Sequence, residues 1–237
     1  MDNPARSPKA KAPEKKTPYM KFHDFLRKYR VFVLGAFAAA MLALIGVAIG
    51  TAISDAAVKA ATAGLERLDT DYSAYQSEQD AAKKAELEKA LLASIDGLVK
   101  KWPHRYAALR AQSYKAKIEE AKKDWASAEK DWLAIAADSP DSYLAPVALQ
   151  AAASAAEEQG ATDRAIADYK KVTEKYGDKT IGIPHAYFSL GRLAEQSKDY
   201  AAAMAAYQKL TSTWPDGDWT KLATDRILFL KSQGLSK

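Results

Sequence analysis

The chain has 237 residues, a net charge of +5 and no cysteine, which excludes disulfides and anchoring through a lipid-modified cysteine. The positive charge is concentrated at the N-terminus. Residues 1–30 carry nine Lys and Arg against three acidic residues, whereas residues 54–237 carry 26 basic and 27 acidic residues. Because a nucleic-acid site needs a basic surface on the folded part of the chain, we expect no nucleic-acid partner.

Residues 1–30 predict a basic cytoplasmic tail that is partly disordered, since its first 20 residues are rich in Pro, Lys and Ala without an apolar period. In Tyr19–Tyr29, aromatic and apolar residues recur at helical spacing between Lys and Arg. This pattern is typical of a helix at the membrane–water interface. Setting the membrane topology is the preferred role of these charges, and attraction to anionic lipid headgroups is an additional one.

Residues 31–53 contain no charged residue and, at about 1.5 Å per residue, are long enough to cross the roughly 30 Å hydrocarbon core of a bilayer. They predict a transmembrane helix, called the span below. Arg27, Lys28 and Arg30 directly precede it, and such residues favour the cytoplasmic side. We therefore expect a single-pass protein of the inner (cytoplasmic) membrane, with the N-terminus in the cytoplasm and the C-terminal domain in the periplasm.

Cleavage of the span as a signal peptide is an alternative, because a small-x-small pattern occurs at residues 52–54. Cleaved signals usually have an apolar region of about 7–15 residues, which is shorter than the span. An uncleaved anchor in the lipid bilayer is the preferred interpretation. Within the span, Gly46 and Gly50 form a GxxxG pattern that favours close packing on another transmembrane helix.

Residues 54–103 predict a helical hairpin that follows the span. Its first helix carries an apolar stripe at alternating steps of three and four residues: Val58, Ala61, Leu65, Leu68, Tyr72 and Tyr75. The stripe fits either a short coiled coil between two chains or packing on the next helix of the same chain, and the second interpretation is favoured. That next helix is expected near Lys83–Lys101 and stops at Pro103.

A repeat with a period of 37 or 38 residues runs through the rest of the chain. Each unit ends at a dipeptide that terminates a helical pattern, and these marks are Trp102-Pro103, Ser139-Pro140, Tyr176-Gly177 and Trp214-Pro215. Large apolar residues fall eight positions before the marks, at Ile95, Trp132, Tyr169 and Tyr207, and small ones fall twelve before the last three, at Ala128, Ala165 and Ala203. Such a period indicates stacked helical pairs that cross closely at the small residue.

The unit His185–Pro215 resembles a tetratricopeptide repeat (TPR). It has Leu190-Gly191, Asp199-Tyr200, Ala203, Tyr207 and Pro215 at the spacing of that repeat. The resemblance implies an all-α fold, with an N-terminal transmembrane helix followed by a TPR-like α-solenoid of helical hairpins. It divides the chain into a degenerate repeat in the hairpin of residues 54–103, three TPR-like repeats in residues 104–217 and a C-terminal capping helix in residues 218–237.

The whole layout also resembles the ancillary-subunit family of the Sec translocon, in which a short basic N-terminus and one span precede a periplasmic TPR-like domain. This resemblance implies protein partners among membrane machinery, periplasmic chaperones or their substrates. It rests on the layout and on general TPR positions rather than on a diagnostic motif.

Residues typical of catalysis do not form a recognisable constellation in the sequence. The three histidines are His23, His104 and His185, and the first lies on the other side of the span from the other two. There is no HExxH, GxSxG or P-loop motif. We therefore expect no enzyme activity, no cofactor and no metal site.

The expected binding site is the groove that the first helices of TPR hairpins line. The positions that face this groove are Gln150, Ser154, Glu157 and Glu158 in one unit, and His185, Phe188, Arg192, Glu195 and Gln196 in the next. Phe188 beside Arg192 is the most binding-like pair, because aromatic and Arg residues are enriched in interface anchors. The alternative is that Phe188 packs on the C-terminal helix and Arg192 is solvated. Trp219 is not assigned to a repeat position and is either a cap contact or a binding residue.

The sequence thus favours a membrane-anchored extracytoplasmic TPR adaptor that mediates protein–protein interactions, in protein translocation or envelope biogenesis. The alternative is a structural component of a larger cell-envelope assembly that associates with further copies of itself as a homo-oligomer.

Overall fold

A computed structural model describes residues 17–177, 180 and 182–235. Over these residues the chain is all-α, as predicted, and its nine helices contact one another mainly in chain order. They are α1 (Pro18–Ser77), α2 (Ala81–Lys101), α3 (Tyr106–Ala121), α4 (Trp125–Asp138), α5 (Leu144–Glu158), α6 (Thr162–Tyr176), α7 (Ile183–Gln196), α8 (Tyr200–Thr213) and α9 (Asp218–Ser232). The predicted disorder of the tail concerns residues 1–20. Residues 1–16 lie outside the described residues, whereas residues 18–20 are helical at the start of α1, contrary to the prediction.

The chain divides into two compact units, residues 1–56 and residues 57–237. The described part of the first unit is Thr17 and the N-terminal part of α1, which begins at Pro18 and has a kink at Tyr29. It contains an exposed stretch that is long and apolar enough to cross a membrane. Length and composition fit a membrane anchor and a signal sequence equally.

In the second unit, the apolar stripe of α1 packs on α2 and α3. Ala61, Leu65, Leu68 and Tyr75 join a buried cluster with residues of those helices. This confirms packing within the chain, the favoured interpretation of the stripe. Val58 is 46% exposed and does not take part, contrary to the predicted stripe.

The helices α3 to α8 form three hairpins with the same internal register. The small residues Ala128, Ala165 and Ala203 are completely buried where the two helices of each hairpin cross. The large residues Trp132, Tyr169 and Tyr207 are buried one turn later, as the spacing predicts.

The turn inside each hairpin is also repeated. The residue just before the N-cap of the second helix has a left-handed conformation, with φ near 60–71° at Lys123, Gly160 and Lys198. The next amide donates to a carbonyl five residues earlier, which satisfies an acceptor at the end of the first helix.

Helix α9 closes the C-terminal end of the hairpin array. Thr220, Ala223 and Leu230 are buried against α7 and α8. Lys221, Thr224 and Asp225 are exposed on α9, and so is Leu228, which lies seven residues after Lys221 and therefore on the same side. The predicted C-terminal helix is thus present, and its role as a solubilising cap over residues 218–237 stays a prediction.

Candidate protein-binding surface

The first helices of successive hairpins and α9 share one exposed surface, which we call the A-face. Side chains of neighbouring helices contact each other across it, and the pairs are Gln150 with His185, Glu157 with Arg192, Phe188 with Trp219 and Glu195 with Arg226. The predicted groove residues of α5 and α7 therefore lie on a common surface. Ser154, Glu158 and Gln196 are the exposed members of the set.

Gln150 and His185 form a polar contact between α5 and α7. Nδ1 of His185 lies 3.2 Å from Oε1 of Gln150, and Nε2 lies 3.4 Å from Oγ of Ser189. The amide of Gln150 also lies against the backbone of Gly182, where a Cβ would collide with it. Burial and, to a smaller extent, the charge of Arg192 lower the pKa of His185, although Glu157 acts in the opposite direction. These two residues are held in place by the fold.

Three rings form an aromatic cluster on the A-face, made of His185, Phe188 and Trp219. The ring of Trp219 lies 4.6 Å from that of His185 and 5.3 Å from that of Phe188, measured between centroids. Phe188 also contacts Tyr207, at 5.7 Å. Phe188 therefore packs on the C-terminal helix, as the alternative to a binding role predicted, and Trp219 contacts α7 while keeping an exposed edge.

Two arginines join successive helices through ion pairs on the A-face. Arg192 of α7 donates to Glu157 of α5, and Arg226 of α9 donates through Nε to Glu195 of α7 at 3.0 Å and through Nη2 to its other oxygen. Arg192 is paired, so the alternative in which it is merely solvated is wrong. Both arginines keep part of their surface exposed, and their charges are matched by glutamates.

The A-face glutamates also satisfy the polar atoms of buried aromatic residues. Nε1 of Trp132 donates to Glu120 at 2.7 Å, and the hydroxyl of Tyr207 donates to Glu195 at 2.7 Å. Burial and the bond to Glu195 raise the pKa of Tyr207. Burial disfavours the charge of Glu195, but the bonds from Arg226 and Tyr207 outweigh that cost and lower its pKa. These carboxylates hold the repeats together and are already occupied by internal partners.

Two shallow clefts flank these ion pairs. One, of about 450 Å³, is lined by Glu157, Glu158, Arg192 and Gln196 among others. The other, of about 420 Å³, is lined by Phe188, Arg192, Glu195, Gln196, Tyr207 and Arg226. Both are open and polar at their rims, and this shape fits a contact with another chain better than a buried small ligand.

Sequence reasoning missed the contribution of α9 to the A-face. Trp219 (38% exposed), Leu222 (46%) and Phe229 (47%) lie on the side of α9 that carries Arg226. The guanidinium of Arg226 lies 4.7 Å from the centroid of the Phe229 ring. The signal was in the sequence, since adding 34 residues to His185, Phe188, Arg192 and Glu195 gives these four positions. That is the usual length of a TPR, shorter than the period of 37 or 38 residues that the earlier units of this chain show.

The remaining predicted positions lie in the span. Gly46 and Gly50 are exposed in α1, and a Cβ on either would meet nothing within 4 Å. Close packing of this pattern on another helix stays a prediction. Within the described ranges, no group of three His, Cys, Asp or Glu side chains is placed to hold a metal ion.

Comparison with known proteins finds TPR repeats in the chain. A family model of the tetratricopeptide repeat matches residues 147–178 and 185–217, which correspond to the hairpins α5–α6 and α7–α8. A "TPR repeat-containing protein" of Treponema pallidum (strain Nichols) is 32% identical over 148 residues. The match covers 62% of this chain and 61% of that protein, so the chain spans about three fifths of its relative. No solved structure matches.

TPR repeats generally mediate binding between proteins, and this chain carries them next to an exposed surface with aromatic and Arg side chains. A role in protein–protein interaction follows from the fold and the repeats together.

Proposed function

We propose that this protein is a membrane-anchored TPR adaptor that binds a protein partner through the A-face at α7 and α9. The observation that carries the proposal is the exposed apolar edge formed by Trp219, Leu222 and Phe229 beside the paired arginines Arg192 and Arg226. Trp and Arg are the residues most enriched among those that dominate binding energy. A polar rim around an aromatic centre is the usual anatomy of such a contact.

The charge pattern supports a location for this binding site. The basic residues before the span favour an N-terminus in the cytoplasm and repeats on the other side of the inner membrane, in the periplasm. An anchor in the bilayer raises the effective concentration of the A-face near other membrane proteins. Recruitment to such proteins is thus the mechanism that we propose.

The partner class follows from the layout. The arrangement of basic N-terminus, span and TPR repeats resembles the ancillary-subunit family of the Sec translocon. Membrane machinery of protein translocation, periplasmic chaperones and their substrates are accordingly the partners to test first.

Photo-crosslinking in intact membranes tests the surface. A crosslinking amino acid placed at Phe229 should capture the partner, whereas one at Leu228 should not. Leu228 is a matched control because it is on the same helix and is 60% exposed, but it projects away from the A-face. Equal capture from both positions would contradict the proposed surface.

A substitution on the same surface separates binding from folding. Leu222→Ser with Phe229→Ser removes exposed apolar area, and we expect partner capture to fall at least tenfold while the helical content stays unchanged. Substitution of Phe188 is less suitable, because its ring contacts Tyr207 and Trp219 inside the structure. Crosslinks between copies of this chain alone would favour the structural, self-associating role instead.

A reporter tests the topology independently of the partner. A fusion after residue 237 of an enzyme that folds only in the periplasm should be active. Activity of a cytoplasm-specific reporter at the same place would contradict the proposed orientation.

A further inference from the structure

The N-terminal part of α1 forms a distinct helical segment before the span. Its start is marked by Thr17, whose Oγ1 accepts from the amide of Met20 at 3.4 Å, and by Pro18 at the first helical position. Its end is marked by the kink at Tyr29, where φ is −108° and ψ is 19°. The span therefore does not simply extend into this segment, because the helix axis changes at a defined residue.

The apolar and basic side chains of this segment lie on opposite sides. At about 100° per residue, Tyr19, Phe22, Phe25, Leu26 and Tyr29 fall within an arc of about 120°. The charged residues Lys21, Asp24, Arg27 and Lys28 fall on the other side of the helix. All five apolar side chains are exposed, although four of them are aromatic. A segment that only set the topology by its charge would not need this separation.

The aromatic side chains are arranged as expected at a membrane surface. The rings of Phe25 and Tyr29 are 5.0 Å apart between centroids, and Nζ of Lys28 lies 5.3 Å from the centroid of Tyr29. The lysine thus stays at the border between the two sides of the helix. Aromatic side chains favour the depth of the headgroups, and Lys and Arg on the polar side attract anionic lipids.

We propose that residues 18–29 form a lipid-binding helix that lies in the membrane surface and recognises anionic phospholipid headgroups. The polar side carries three basic residues and one Asp, so its net positive charge favours an anionic ligand. Continuity with the span places the helix at a bilayer surface, so the inference rests on the proposed membrane anchor. The chemistry recognised is a phosphodiester with net negative charge, such as that of phosphatidylglycerol.

The full chain suits a direct measurement, because it contains no cysteine. Leu26→Cys and Asp24→Cys each allow a single fluorophore that reports polarity, one on the apolar side and one on the polar side. The protein is reconstituted in vesicles of phosphatidylcholine alone or mixed with phosphatidylglycerol. We expect the label at position 26 to shift to blue emission in the anionic vesicles relative to the neutral ones, and the label at position 24 to stay close to its emission in water.

Charge variants identify the recognising residues. Each Lys or Arg near an anionic surface contributes about fivefold to binding, so Arg27→Gln with Lys28→Gln should lower the ratio of bound to released helix by more than tenfold. Lys9→Gln with Lys11→Gln removes the same charge from the preceding tail and should preserve the blue shift. Equal loss in both pairs would overturn the inference, since diffuse tail charge would then explain the attraction.

Flotation distinguishes failure of this inference from failure of the anchor. Protein that floats with both kinds of vesicle but shows the same emission in each refutes the headgroup recognition and leaves the anchor intact. Protein that floats with neither kind refutes the anchor and the lipid-binding helix together.

Discussion

The hairpins α5–α6 and α7–α8 have the same register but build it from different residues. Where the helices cross, α5 has Ala153 and α7 has Gly191. In the turn, Gly160 corresponds to Lys198, which adopts the same left-handed conformation. At the start of the second helix, Ala161 corresponds to Asp199. The two hairpins therefore share one backbone geometry. The turn of α7–α8 has a strained Lys198, and the start of α6 lacks a side-chain cap because Ala161 stands there.

The surfaces of the two hairpins differ as well. The A-face of α5 has polar residues, Gln150, Ser154 and Glu157, beside an exposed Val147, whereas that of α7 carries two rings of the aromatic cluster. The same scaffold thus places an aromatic surface at its C-terminal end. Exchanging residues between the hairpins tests which differences matter.

Gly191→Ala should give the largest effect. A Cβ at this position would lie 2.6 Å from Cδ1 and Cζ of Tyr207, which is fully buried and bonded to Glu195. We expect a loss of about 3 kcal/mol in the free energy of unfolding, measured by urea denaturation. Gly97→Ala is the matched control, because nothing lies within 4 Å of its new Cβ, and it should gain about 0.5–1 kcal/mol. Similar stability of the two variants would contradict a close crossing at Gly191.

Exchanging the turn residues should change the free energy of unfolding by a smaller amount, upward in one hairpin and downward in the other. Lys198→Gly removes a side chain from a residue with φ of 61° and should raise the free energy of unfolding by about 1 kcal/mol. Gly160→Lys places a side chain at φ of 71° and should lower it by about the same amount. Thermal unfolding measures the stability change in both variants. Changes of the same sign would show that the two turns are not equivalent.

Exchange of the capping residues tests the next difference. The side chain of Asp199 accepts from the amide of Ala202 at 3.0 Å, so Asp199→Ala should cost about 1 kcal/mol. Ala161 has nearly the same backbone conformation, with φ of −88° and ψ of 62° against −86° and 75°. Ala161→Asp should therefore gain up to about 1 kcal/mol in a denaturant titration. No gain would mean that the free amides of α6 are already satisfied by water.

The repeat core was predictable from the sequence because it depends on local spacing. Ala128, Ala165 and Ala203 and the large residues four positions later follow a helical period that short-range sterics impose, and all are buried as expected. Even the packing of the α1 stripe on α2 was accessible, since it needs only an apolar face and an adjacent helix.

The composition of the binding surface was only partly predictable. The groove positions of α5 and α7 were found from the repeat, but the pairing of Glu157 with Arg192 and of Glu195 with Arg226 depends on how neighbouring repeats are offset. The sequence left Trp219 open between a cap contact and a binding residue, because α9 lacks a partner helix and therefore the sequence pattern of a full repeat. Extending the groove positions by 34 residues would have included it.

The smallest expected effect concerns a position on the A-face at which only one of the two hairpins has a histidine. His185 corresponds to Val147 in α5, and burial lowers its pKa below the ordinary value of 6.5. The folded state therefore binds the proton more weakly than the unfolded state, and stability is complete above pH 6.5 and decreases as the pH falls towards the lower pKa of the folded state. His185→Gln should reduce this decrease, by less than about 1 kcal/mol, in unfolding curves compared between pH 7.5 and pH 5.5. The same pH dependence in both proteins would show that the contact of His185 with Gln150 and Trp219 does not disfavour the imidazolium.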